Sequence, residues 1–269
     1  MDKLIHFVDT GGASDAPTLV FVHGFGCALG DWAAQYDFFK ARYRCIACDL
    51  PGHGDTPPWP EHNRIAAMGA DVAKLLTSLV ITDAVLVGHS MGCRVVLQAA
   101  LDEPTRVAGL GFMDGSWIGQ GDPDTVRAGA LRVFNEQTFS SMVTQLFGEM
   151  FNDDTFAELR EGSIARAAAR PARYATELFA DLQAWDARFL QASIRALGVP
   201  SIAIQSTYLN AERQRVSINE GNTTPWLDLL RAERNDADIA IVPNAGHFNM
   251  IEKPDEVNAH LDAFLKRLT

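Results

Sequence analysis

The 269-residue chain has four cysteines, a deficit of basic residues and no long apolar run, and each shortage removes a class of protein. No hydrophobic stretch approaches the ~20 residues that cross a bilayer, so no membrane span is expected. The start, Met1-Asp2-Lys3-Leu4, opens no signal peptide, and a cytoplasmic protein is the expectation. Cys27, Cys45, Cys48 and Cys93 fall in or beside core elements, and Cys45-x-x-Cys48 lies within a strand rather than at a redox turn. Reduced, buried thiols are therefore expected. Lys and Arg number 23 against 34 Asp and Glu, a formal charge of −11. That field disfavours a nucleic-acid partner, and it works against a strongly anionic substrate unless a local basic pocket overrides it. Internal repeats and low-complexity tracts are also missing.

Hydrophobic residues make up 47% of the chain and charged residues 21%, enough for one enzyme-sized domain with an insertion. The first half alternates strand and helix. Lys3 to Val8, Thr18 to Val22, Arg44 to Cys48, Ala84 to Val87 and Val107 to Met113 read as strands. Leu29 to Arg42, Arg64 to Leu79 and Cys93 to Leu101 have helical spacing. Such alternation predicts an α/β fold with a mostly parallel sheet flanked by helices on both faces. From Trp117 to Ala196 strand patterning vanishes. Helix starts stand at Asp122-Pro123, Asp153-Asp154-Thr155 and Pro171. The core is thus expected to span 1–116 and 197–269, with a helical cap at 117–196. Strands return at Val199 to Gln205 and Ile239 to Val242, and helices at Pro225 to Arg234 and Pro254 to Arg267. Ser206 to Thr224 reads as a polar excursion.

Gly88-His89-Ser90-Met91-Gly92 sits between a strand and a helix. A serine on so tight a turn needs small residues two before and two after it, and its hydroxyl projects at the N-terminus of the following helix. A serine hydroxyl needs a base within reach. Of seven histidines, His247 is best placed, in the loop Asn244-Ala245-Gly246-His247-Phe248 at the carboxyl edge of the sheet. His53 sits in a turn, and His89 is expected to point away from the serine.

These motifs in this order resemble the α/β-hydrolase superfamily over essentially the whole chain. His23-Gly24-Phe25-Gly26 is similar to the family's oxyanion-hole loop, Asp49-Leu50-Pro51-Gly52-His53-Gly54 to its next turn, and Asn244 to His247 with Glu252-Lys253-Pro254 to its histidine segment. The resemblance implies Ser90 as nucleophile, His247 as base, and the N–H groups of Phe25 and Met91 as the oxyanion hole. The acid departs from the common pattern. After the strand that follows the cap, Gln205-Ser206-Thr207-Tyr208-Leu209-Asn210 offers no carboxylate. Asp114, at the end of the strand before the cap, resembles the arrangement of some haloalkane dehalogenases and the zearalenone-lactone hydrolases. Glu212 and Glu220 are the alternatives.

The cap's aromatic and Met residues imply an apolar or ring-bearing small-molecule substrate, with His23, Trp117 and Trp185 as expected lining residues. Its arginines, including Arg127, Arg166 and Arg170, are expected as solvated helix faces. The expected activity is serine hydrolysis of an ester or lactone, with no metal or organic cofactor. Carbon–carbon bond hydrolysis shares the constellation. Two other classes stay open: a cofactor-free dioxygenase resembling those of quinolone breakdown, and a ligand receptor without turnover. Oligomeric state is not legible.

Overall fold

Burial on both faces explains why the strands read as continuous apolar runs rather than alternating ones. The computed structural model describes residues 3–11, 16–210 and 214–268. In chain order the strands are β1 (Phe7–Asp9), β2 (Thr18–Val22), β3 (Cys45–Cys48), β4 (Ala84–His89), β5 (Val107–Met113), β6 (Ser201–Gln205), β7 (Thr207–Leu209), β8 (Arg215–Ser217) and β9 (Asp238–Ile241). Seven of them form one sheet of order β1-β3-β2-β4-β5-β6-β9, in which only β1 runs antiparallel to its neighbour. From β2 the chain steps outward to β3, then returns past β2 to β4. The carboxyl ends of β2 and β4 therefore border the crevice where the winding reverses, the place where such sheets bind ligands.

The helices are α1 (Ala33–Phe39), α2 (Ile65–Ser78), α3 (Met91–Asp102), α4 (Pro123–Val133), α5 (Phe139–Gly148), α6 (Ala157–Ala168), α7 (Ala172–Trp185), α8 (Gln191–Ala196), α9 (Pro225–Glu233), α10 (Asn249–Glu252) and α11 (Pro254–Leu265). Helices α4 to α8 lie between β5 and β6. Asp122 caps α4 by accepting from Thr125 N, and Pro123 occupies its first turn. Between α7 and α8 the residues Asp186–Leu190 form a π-helical stretch, which turns Asp186 inward.

Three expectations change. The first strand holds only Phe7–Asp9, because the chain before it packs Ile5 into the core rather than pairing. Leu29 to Arg42 divides into a 3₁₀ turn, Leu29–Trp32, and the short α1. Ser206 to Thr224 is no plain excursion, since β7 and β8 form an antiparallel hairpin within it. Strands of three residues are too short to show a period. The four cysteines are buried and unpaired, and burial pushes the Cys45 and Cys93 thiols up to about 12. Among the described residues no helix is long and apolar enough to cross a membrane.

Candidate active site

The turn after β4 is as tight as its glycines suggest. Ser90 has φ 53° and ψ −112°, a conformation non-glycine residues rarely hold and one that costs roughly 1–3 kcal/mol. A Cβ on Gly88 would strike the Gly92 backbone, and one on Gly92 would strike the carbonyls of Val22 and His23. Met91 opens α3, so its N–H has no partner within the helix and the helix dipole faces the serine. The loop after β2 runs alongside, for a Cβ on Gly24 would stand 3.1 Å from Ser90 Cβ.

Two neutral histidines hold that loop. His23 Nδ1 donates to Gly24 O (2.8 Å) while its Nε2 accepts from Leu50 N (3.0 Å). His53 Nδ1 donates to Pro51 O (3.1 Å) while its Nε2 accepts from Gly26 N (3.2 Å). Burial pushes His23 down to about 4 and His53 well below the usual range. His23, expected to line the pocket, is absent from the lining of the cavity that holds Ser90 and serves as a strut.

His247, on the loop after β9, meets Asp114 at the end of β5, with Nδ1 2.5 Å from Oδ2. Arg215 Nη1, from β8, lies 3.0 Å from the same Nδ1. A neutral ring nitrogen cannot donate to Asp114 and accept from Arg215 together. The Asp114 bond is shorter, and Arg215 Nη1 already donates to Thr207 Oγ1 (2.8 Å). We therefore assign the proton to Nδ1, which leaves Nε2 unprotonated and without a hydrogen-bond partner among the described residues. Burial, then Arg215 and Arg94, hold His247 well below its ordinary pKa.

Asp114 sits at φ 45° and is fully buried. Its Oδ1 accepts from Ser206 N (2.7 Å) and Thr207 N (2.8 Å), and its Oδ2 accepts from Thr207 Oγ1. Burial pushes its carboxyl upward, against the pull of Arg215 and these donors. The place where the common pattern would put the acid thus supplies donors to it instead. Gln205 Nε2 is spent on Gly115 O (2.8 Å) and Thr207 O (2.7 Å). Of the alternatives, Glu220 is exposed on the turn after β8, and Glu212 lies outside the described residues.

His89 does not point away. Its ring stands 4.7 Å from that of His247, and its Nε2 donates to His247 O (2.8 Å). The backbone of Ser90 fixes β4, but the side chain before it faces the histidine loop. A second support comes from the helical insertion. His247 N donates to Met150 O (2.6 Å), and the Glu252 carboxylate accepts from both Gly246 N (3.0 Å) and Asn152 N (3.1 Å). Every nitrogen of Arg94, on α3, is engaged: Nε and Nη2 pair with Asp186 (2.9 and 2.7 Å), Nη1 donates to Ser90 O (3.0 Å), and Nη2 also donates to Ser116 O.

Ser90, His247, Phe25 and Met91 line a cavity of ≈ 40 Å³, with Met150 and Phe248 in its walls. It adjoins a cavity of ≈ 580 Å³ within the insertion, and Ile118, Leu146, Phe179, Leu209 and Arg215 line both. Trp117 and Trp185, expected here, are elsewhere. Trp117 packs half-buried on the core. Trp185 donates to Gln98 (3.3 Å) and borders a separate surface hollow of ≈ 730 Å³ with Arg127 and Asp181. Nor is the Arg170 guanidinium solvated, and Arg166, with a side chain 35% exposed, is tied down at one end. Arg166 binds Asp31 (2.9 Å), and Arg170 binds Gly52 O (3.0 Å) with its cation 5.2 Å from the Phe25 ring centroid. The sequence gives no sign of Arg215, because a basic residue in a polar stretch reads as surface.

A family model described as "Alpha/beta hydrolase family" matches residues 19–260, and the chain belongs to that family. Among curated proteins it is 26% identical to the dihydrolipoyllysine-residue acetyltransferase component of the acetoin cleaving system of Pseudomonas putida, over 98% of this chain and 67% of that protein. It is 28% identical to 2-succinyl-6-hydroxy-2,4-cyclohexadiene-1-carboxylate synthase of Escherichia coli O1:K1 / APEC, over 98% and 99%. Among solved structures, a thermophilic esterase from Thermogutta terrifontis superposes with a TM-score of 0.77 at 22% identity, covering 98% of this chain and 93% of that one. That likeness speaks for the fold.

Proposed function

We propose that this member of the alpha/beta hydrolase family cleaves a carboxylic ester or lactone through an acyl-enzyme on Ser90. The observation that carries the reading is the short His247–Asp114 bond, which fixes the tautomer and leaves Nε2 free in the cavity that holds Ser90. Ser90 Oγ attacks the carbonyl carbon and passes its proton to His247 Nε2. The oxyanion rests on the N–H groups of Phe25 and Met91. Collapse expels the alcohol, which takes the proton from His247. Water then gives a proton to His247 and attacks the acyl carbon, and Ser90 leaves reprotonated. These steps use no metal or organic cofactor. Residues 117–196 act as the cap that closes over the substrate, whose apolar part occupies the larger cavity.

The names of the curated relatives include an acetyltransferase component and a synthase, so the choice of ester hydrolysis rests on the site geometry. The test is turnover of 4-nitrophenyl esters of two- to eight-carbon acids by wild type and Ser90→Ala. Activity lost in the variant supports the reading. Activity that survives in Ser90→Ala, or oxygen uptake with a hydroxyquinolone independent of Ser90, would replace it.

A further inference from the structure

A guanidinium taken out of water is stable only when its donors find acceptors. The Arg215 side chain is 7% exposed, yet every hydrogen bond it makes to a described residue comes from Nη1. Those contacts face Thr207, Asp114 and His247, the last a proximity without a bond, because His247 Nδ1 donates to Asp114. Its other edge, Nε and Nη2, has no partner among the described residues, and Arg215 borders both the Ser90 cavity and the ≈ 580 Å³ cavity. The side chains that line both cavities with it, Ile118, Leu146, Phe179 and Leu209, are all apolar. Glu149, just past the end of α5, lines the larger cavity and its charge acts on Arg215, but no N···O contact within bonding reach joins the two. Arg94 offers the contrast, since all three of its nitrogens are hydrogen-bonded.

We infer that Arg215 is a specificity-determining residue whose open edge binds a carboxylate on the substrate, so that the site selects esters carrying an anionic group. This inference rests on Ser90 hydrolysis as the reaction. It also supplies the local basic pocket that the overall charge of −11 would otherwise argue against. A free fork edge set among the apolar side chains that line both cavities favours a planar anion that can accept two parallel bonds.

The test compares matched anionic and neutral esters. With the charge on the leaving group, 4-butanoyloxybenzoate and its 3-isomer are set against the corresponding benzamides. With the charge on the acyl side, monoethyl adipate is set against its amide. Wild type is expected to favour the anion in at least one set by about tenfold or more in kcat/KM. Arg215→Met should erase that preference and Arg215→Lys retain part of it, while Arg231→Met, on the exposed side of α9, leaves it in place. Calorimetric binding of the same ligands to Ser90→Ala separates the two readings. Anion-selective binding that depends on Arg215, without turnover in wild type, would keep the carboxylate site and overturn ester hydrolysis. Turnover without any anion preference in every set, or a preference indifferent to Arg215→Met, would overturn the carboxylate site and leave hydrolysis standing.

Discussion

Two buried Arg–Asp pairs flank the serine, and they are built to different ends. Arg94 and Asp186 meet in a bidentate pair, and Asp186 Oδ2 accepts further from Ile118 N (3.0 Å). That pair joins the helix after Ser90 to the π-helical turn between α7 and α8, and each of the three Arg94 nitrogens is engaged. Arg215 and Asp114 stand 3.5 Å apart with Thr207 between them, and His247 shares the carboxylate. A closed pair fixes geometry and has nothing left to offer a ligand. An open one leaves charge and a free edge next to the reacting atoms. Burial alone does not tell the two apart; the count of unused donors does.

The contrast can be broken most severely at Asp114. Asp114→Asn should lower kcat on a 4-nitrophenyl ester by about 10³–10⁴-fold, since the wrong tautomer faces Ser90, while the denaturation midpoint moves little. Equal loss of folding would make Asp114 a structural residue like Asp186. Next in size, Arg94→Met leaves Asp186 buried and unpaired and should cost about 3–5 kcal/mol in chemical denaturation. Arg215→Met should cost clearly less, because Asp114 keeps its bonds from Ser206, Thr207 and His247. Similar losses would erase the distinction.

Acid sharpens it further. Burial pushes His89 down to about 3 and His23 to about 4, and it holds His53 and His247 well below the ordinary range. The unfolded chain binds these protons first, so stability should fall as pH drops below ~6.5, by up to about 1.4 kcal/mol per unit for each group. A denaturation midpoint flat between pH 7 and 5 would contradict their neutrality. A smaller effect concerns the rate. His247 faces Asp114 from β5, Arg215 from β8, Arg94 from α3 and His89 from β4. Removing the Arg215 cation eases formation of the imidazolium, so in Arg215→Met the acid limb of kcat/KM for a neutral ester should move to higher pH. A shift to lower pH would mean that Arg215 acts mainly by keeping Asp114 ionised.

Much of this was legible in the chain. The sheet strands betray themselves by unbroken apolar runs, and Gly88, Gly92 and Gly24 by close approaches that no side chain could survive. Asp114 could be picked out as the carboxylate ending the strand before the helical segment, and the structure sets it against His247. The cavity lining was not legible, because Trp117 and Trp185 look like pocket residues by type, whereas their direction is set by tertiary packing, which for Trp185 means α7 against α2 and α4. Nor was His89, whose ring turns toward His247 only because the loop after β9 folds back over β4. The hairpin of β7 and β8 escaped for want of length, and Arg215 escaped with it.

The backbone of His247 hangs from Met150 O, and the Glu252 carboxylate clasps Gly246 and Asn152 together. The insertion is therefore no interchangeable module. Exchanging 117–196 for the matching segment of a relative, a common route to new specificity, would cut the cord that suspends the His247 loop. A chimera that keeps residues 148–152 of this chain should inherit a working histidine loop, and one that replaces them should bind its new substrate yet turn it over slowly.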